Sequence, residues 1–170
     1  VVEQLMAARA RDIRGRFVKD VDRGWRKIAS KMARSTAVRA KVGVQAPEAE
    51  IDRGGGLTNA GLAAIHEFGS PPSSIPERSF LRSTFDEKQR GYQKELDRIA
   101  RAGLDGAALE GEMTLLGEQY RADAIDKIRS GIPPPLAPAT IARKGGEATP
   151  LIDTGQLVNS IRVVVEKGER

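Results

Sequence analysis

Two proline-rich stretches, SPPSSIP at 70–76 and IPPPLAP at 132–138, constrain this chain more than any other feature. A proline locks φ near about −65° and removes a backbone donor, so neither stretch can be a helix interior or a central strand. They act as extended connectors, the second polyproline-like, and every regular element has to fit between or beside them.

The first block opens with an apolar stripe, Val2, Met6, Ile13, Phe17, Val21, Trp25, Ile28 and Met32, at steps of three, four or seven. That spacing predicts a long amphipathic helix, strongest from Phe17 to Ala33. Arg9, Arg11, Arg14, Arg16, Lys19, Arg23, Arg26 and Lys27 fill most of its other face, making residues 1–34 a basic helical arm. Val38, Ala40, Val42 and Val44 then alternate with Arg39, Lys41, Gly43 and Gln45, the period of a half-buried strand. Residues 46–59, APEAEIDRGGGLTN, lack periodicity and carry three consecutive glycines, so they are expected to form a mobile surface loop or hairpin tip. Asn59 or Thr58 is placed to cap a short helix, AGLAAIHEF, that stops at Gly69.

In the second block, Phe80 or Leu81, Phe85, Tyr92, Leu96 and Ile99 predict a helix over about Ser79–Ala102. A break at Gly103–Gly106 precedes another stripe, Leu109, Met113, Leu116, Tyr120, Ala124 and Ile128, which Gly131 ends. In the third block, Asp153 or Thr154 can cap one or two helical turns through GQLVNS. Ile161, Val163 and Val165 then alternate into a second strand, with Val164 suggesting partial cover on both faces. The expected architecture is a single α+β domain over 1–170. It is helix-rich, with the long N-terminal helix and two further long helices packed on a small antiparallel sheet that includes the C-terminal strand.

Composition bears on function mainly by exclusion. There is no cysteine, hence no disulfide, thiolate site or cysteine nucleophile, and His66 is the only histidine. No stretch approaches the roughly 18 apolar residues of a membrane span, so no membrane partner is expected and the chain reads as soluble. The net charge of +5 is uneven: residues 1–42 hold twelve Lys/Arg against four Asp/Glu, whereas residues 43–132 hold eleven against fifteen. A basic head on an acidic body attracts a polyanion or an acidic protein surface, and permits head-to-body contact between copies.

Chemistry-bearing residues are sparse. His66-Glu67 is the one pair resembling an acid/base couple, but neighbours on a helix point about 100° apart, and no second histidine completes a metal motif. No Gly-x-Ser-x-Gly elbow is present, and Gly54–Gly56 is not followed by the Lys-Ser/Thr of a phosphate loop. Glu110, Glu112 and Glu118 read as a solvated helix face. No catalytic residue, cofactor or metal is expected.

Two stretches carry a resemblance. Residues 63–87, AAIHEFGSPPSSIPERSFLRSTFDE, combine a His-Glu-Phe-Gly element, a proline connector and an Arg-x-Phe-Leu-Arg helix start. Residues 135–165, PLAPATIARKGGEATPLIDTGQLVNSIRVVV, carry a Pro-Leu-x-Asp-Thr-Gly-x-Leu-x-x-Ser-Ile run leading into a strand. Together they resemble the tail-completion and neck proteins of tailed bacteriophages, variously described as minor tail protein Z-like, head–tail joining or virion morphogenesis proteins. The chain departs from that pattern at Glu77, where a small residue is usual, and at Ser79 and Ser83, where proline is common.

The resemblance implies a structural virion protein with no catalytic chemistry. It would form a ring of roughly six copies at the head–tail junction, completing or joining the tail, beside neck, tail-tube or connector proteins and close to genomic DNA. Its location would be the virion, and the host cytoplasm during assembly. Within that picture the connector from Phe68 to Phe80, including Gly69 and Pro76, sets how the second long helix meets the sheet. Phe80 and Leu81 anchor it, Arg78 and Arg82 pair with nearby carboxylates, and Asp153 and Thr154, beside Gly155, cap a helix. The competing readings are a tail terminator or stopper in the same assembly, or a DNA-binding protein using Arg14, Arg16, Arg23, Arg26 and Lys27 against phosphates.

Overall fold

The computed structural model describes residues 26–27, 29–30, 38–104 and 108–167. Arg26, Lys27, Ala29 and Ser30 are helical and exposed. The rest of the expected N-terminal helix, with Arg14, Arg16 and Arg23, lies outside the described residues. What is described is α+β. Strand β1 (Val38–Val44) is followed by helices α1 (Asn59–Phe68), α2 (Arg82–Leu104), α3 (Leu109–Arg129), α4 (Pro138–Arg143) and α5 (Gln156–Asn159), then strand β2 (Ile161–Lys167).

The two strands pair antiparallel, with Val38 opposite Lys167 and Val44 opposite Ile161. Their period-two patterns are kept: Val42 and Val44 turn to the core while Arg39 and Lys41 stay exposed. Val163 and Val164 are both half-buried, so the double-sided cover expected at Val164 is present. A two-stranded ribbon is marginal alone and needs a packed face. Here α3 supplies it. Gly117 lies so close to β2 that a β-carbon there would sit 2.5 Å from Val163 Cγ1. At the end of that contact, the Arg121 Nε–H donates to the Ile161 carbonyl at 2.7 Å.

Helices α2 and α3 form an antiparallel hairpin. Tyr92 Oη donates to Asp123 Oδ2 at 2.7 Å, Lys88 pairs with Asp123 at 2.5 Å, and Arg98 pairs with Glu112 at 2.7 Å. Phe85, Tyr92 and Tyr120 cluster between them with ring centroids 5.4–6.4 Å apart. The main core gathers Ala63, Phe80, Ile128, Ile132, Leu157, Val158 and Ile161, with Leu81, Leu151 and Ile152 packed against it. It therefore joins α1, the start of α2, the end of α3, α5 and the sheet.

One expectation changes and another gains detail. Helix α2 begins at Arg82 and not at Ser79, because the N–H groups of residues 80–82 are taken by a side chain from α1, described below. Segment 46–59 holds a hairpin tip at its glycines, one of the two forms expected for it, together with further local structure. A 3-10 turn spans Glu48–Glu50, Asp52 bridges to Thr58 around the glycine turn, and Gly54 N–H donates to Asp52 Oδ1 at 2.8 Å. Asn59, fully buried, ties it down. Its Nδ2 donates to the Glu48 carbonyl at 2.8 Å, its Oδ1 accepts from Arg53 at 3.2 Å, and its N–H donates to the Ile51 carbonyl at 3.1 Å.

Candidate functional site: a carboxylate-capped connector beside a basic cleft

The Phe68–Phe80 connector is organised by residues at its two ends. Thr58 caps α1, its hydroxyl accepting from Gly61 N–H at 3.1 Å, so of the two cap candidates it is the threonine that serves. Helix α1 ends at Gly69, whose φ of 76° is left-handed. A β-carbon there would lie 2.9 Å from the Glu77 nitrogen, so glycine is required both by conformation and by space. Ser70 and Ile75 then exchange backbone hydrogen bonds at 2.8 and 3.0 Å around the Pro71–Ser73 turn. Pro76 is exposed at the exit. The chain returns along α1, where Arg78 N–H donates to the His66 carbonyl at 2.8 Å.

Glu67 closes this loop. Its carboxylate, only 7% exposed, accepts from Ser79 Oγ at 2.5 Å and from the N–H groups of Phe80, Leu81 and Arg82 at 2.9, 3.0 and 2.9 Å. It is an N-terminal cap delivered from another helix, set against the positive end of the α2 dipole. Burial pushes its pKa up, but the Ser79 hydroxyl and the three N–H donors outweigh that and hold it below the ordinary glutamate value. Phe80 is thereby seated fully buried in the core and Leu81 is packed beside it, as the anchor role requires.

The arginines differ from each other. Arg82 pairs with the Glu77 carboxylate and lies 5.9 Å above the ring of the exposed Phe68. Among the described residues Arg78 pairs with no carboxylate, contrary to expectation. It is buried, and its guanidinium donates to the Pro134 carbonyl at 2.9 Å and the Pro135 carbonyl at 3.3 Å. A polyproline stretch leaves its carbonyls free of secondary structure, so a fork of N–H donors satisfies them well. Arg78 thus ties one proline connector to the other.

His66 lines a cleft of about 480 Å³ between α1, α4 and the 151–157 segment, while the Glu67 carboxylate is spent on the start of α2. Asp153, Thr154 and Gly155 line the same cleft. The structure therefore brings residues of both recognised motifs to one place. Asp153 and Thr154 do not cap α5, however: Gly155 is its N-cap, with a φ of 75° and no side-chain cap bond. The left-handed Gly155 turns residues 153 and 154 toward the cleft instead. His66 Nδ1 is buried with no hydrogen-bond partner, and burial, then the nearby Arg78 and Arg53 charges, hold the imidazole pKa below its ordinary value. Apolar Leu62, Leu151 and Leu157 line part of the cleft, and Arg53, Thr140, Arg143 and Lys144 add cationic and hydroxyl groups that sequence inspection did not single out. In the sequence, the one signal for these groups is Arg143-Lys144 before two glycines. No group of three or more acidic or histidine side chains among the described residues is arranged to hold a metal. No described helix is long and apolar enough to cross a membrane.

In comparison with known proteins, the chain matches no family model, no curated protein and no solved structure.

Proposed function

We propose that this chain is a structural subunit of a tailed-phage virion, assembled as a ring of roughly six copies at the head–tail junction, where it completes or joins the tail. The observation that carries the reading is how the two motif stretches are used. Glu67, Gly69, Arg78 and Phe80 of the first spend their side chains or conformational freedom on fixing the connector and the start of α2. The second stretch closes a cleft against the first and feeds β2. The Glu67 carboxylate is taken up by a helix end while His66 lines the cleft, so the one candidate acid/base pair has its carboxylate committed to a structural task. On this reading the subunit has no cofactor or catalytic step. Its partners are its own copies and the neighbouring neck, tail-tube or connector proteins, with DNA passing nearby.

Native mass spectrometry of the purified full chain, together with peptide mapping of purified virions, tests this. Ring-sized oligomers and presence in the particle are expected. A chain that stays monomeric at high concentration and is missing from virions overturns it. A duplex-DNA affinity that falls steeply with salt, without oligomers, would favour the DNA-binding reading instead.

A further inference from the structure

The cleft beside His66 has a cationic rim over an apolar lining. Arg53, Arg143 and Lys144 face it with Asp153 as the lone carboxylate of the lining. Arg53 spends one N–H on the Asn59 side-chain oxygen, and Lys144 donates to the Thr149 carbonyl at 2.8 Å, near the Glu147 carboxylate. Among the described residues, the Arg143 side chain has no hydrogen-bond or ion-pair partner. An unpaired guanidinium at the mouth of an apolar cleft suits an incoming carboxylate attached to an apolar group.

The opposite arrangement is found elsewhere on the same molecule. Leu115, 68% exposed, projects from the outer face of α3. Gly111, Thr114, Glu118, Gln119 and Ala122 are exposed on the same side. The face is apolar at Leu115 and acidic at Glu118, whose one ion-pair partner among the described residues is the half-buried Arg121 at 3.1 Å. The end of α3 at Ile128 reaches the core beside Leu157, a residue that lines the cleft. Leu115 is thirteen residues earlier, about 20 Å along the helix axis. A cleft and a projection so placed cannot meet within one chain. Between copies they make a head-to-tail contact, the kind from which rings are built.

We propose that the cleft receives the Leu115 face of α3 from a neighbouring copy, with Glu118 of that copy against Arg143. The inference rests on the ring reading above and adds to it the two surfaces in contact. His66, as the sole histidine, reports on the cleft: its imidazole resonances shift when the neighbouring leucine enters.

The test uses the full chain, with assembly followed by sedimentation velocity over a range of concentrations and His66 followed by NMR. Leu115→Glu and Arg143→Glu both alter residues outside the buried core, and circular dichroism checks that each folds. Each is expected to weaken assembly about tenfold or more and to leave the His66 signals unchanged with concentration. The double variant Arg143→Glu with Glu118→Arg is expected to recover most of the loss. If wild-type chain forms rings and both single variants form them equally well, the docking surfaces are wrong while the ring reading stands. If the wild-type chain never assembles, both fall. Octanoate, a small amphiphilic carboxylate, serves as the further probe. If it shifts the His66 signals without competing with assembly, the cleft takes a small molecule and not a second copy, and the proposal is overturned.

Discussion

Glu67 is a buried carboxylate whose charge is held by four donors, one hydroxyl and three successive backbone N–H groups. Its folded-state pKa lies below the ordinary glutamate value, so the stability it contributes is complete above that value. It is lost as pH falls through the lower folded-state value. Glu67→Gln keeps the shape but loses the charge, and is expected to cost about 1–2 kcal/mol at neutral pH. Glu67→Ala, which orphans the N–H groups, should cost about 3 kcal/mol. Urea titrations at several pH values check both the loss and the flattened acid limb. A Glu67→Gln variant with wild-type acid sensitivity would contradict the cap. Gly117 tests packing at the same scale. Its missing side chain admits Val163, whose β-branch leaves little rotamer freedom to retreat. Gly117→Ala is therefore expected to destabilise by about 1–3 kcal/mol despite alanine's better helix propensity. Adding Val163→Ala should return part of that loss, the coupling a double-mutant cycle measures.

Among the elements, the α2–α3 hairpin depends on its aromatic cluster more than on its surface ion pairs. Lys88–Asp123, Arg98–Glu112 and Lys127–Glu87 each include a side chain half-exposed or more, where an ion pair is worth little. Tyr92 and Tyr120, the chain's two tyrosines, lie between the helices with both hydroxyls donating, to Asp123 and to the Leu81 carbonyl. Burial, then Asp123, drives the Tyr92 phenol well above its ordinary value. Burial, with the charges of Glu67 and Asp86, lifts Tyr120 to about 12. Raised values mean that the neutral phenols contribute stability in full below pH 10, their ordinary value, and lose it as pH climbs. In an alkaline titration followed by phenolate absorbance, neither tyrosine should ionise near pH 10 in folded protein. Ionisation should instead accompany the loss of helical circular dichroism. A normal titration with the helices intact would show the cluster to be open.

At the scale of the whole molecule, the sheet is made by strands from opposite ends of the described chain, and the core lies where they meet α1, α3 and α5. Such non-local closure leaves few parts able to stand alone. Ile161 is fully buried and its carbonyl holds Arg121. A chain ending at Ser160 would lose the partner of β1, that core side chain and the face on which α3 rests. The expected outcome is loss of the steep cooperative urea transition shown by the full chain. A truncated chain that unfolds with the same midpoint and slope would show that the sheet is peripheral.

The sequence by itself determined the elements whose cause is local. Alternating valines placed β1 at Val38–Val44, the helical stripes placed α2 and α3, and Gly69 and the prolines placed the breaks. The approximate span of the connector, and Phe80 as its anchor, were legible for the same reason. Tertiary structure alone decided what crossed between segments. The cap on α2 comes from Glu67, and local spacing gives no sign of a carboxylate reaching a helix more than ten residues away. Arg78 turned to proline carbonyls and not to a carboxylate, because the second connector happened to lie against it. Asp153 and Thr154 carry cap-forming side chains, yet the left-handed Gly155 took the cap position and turned them into a cleft with His66. A short-range pattern records the backbone's own preferences. Which polar group meets which donor depends on where the folded chain returns, and that is fixed only once the apolar faces have packed together.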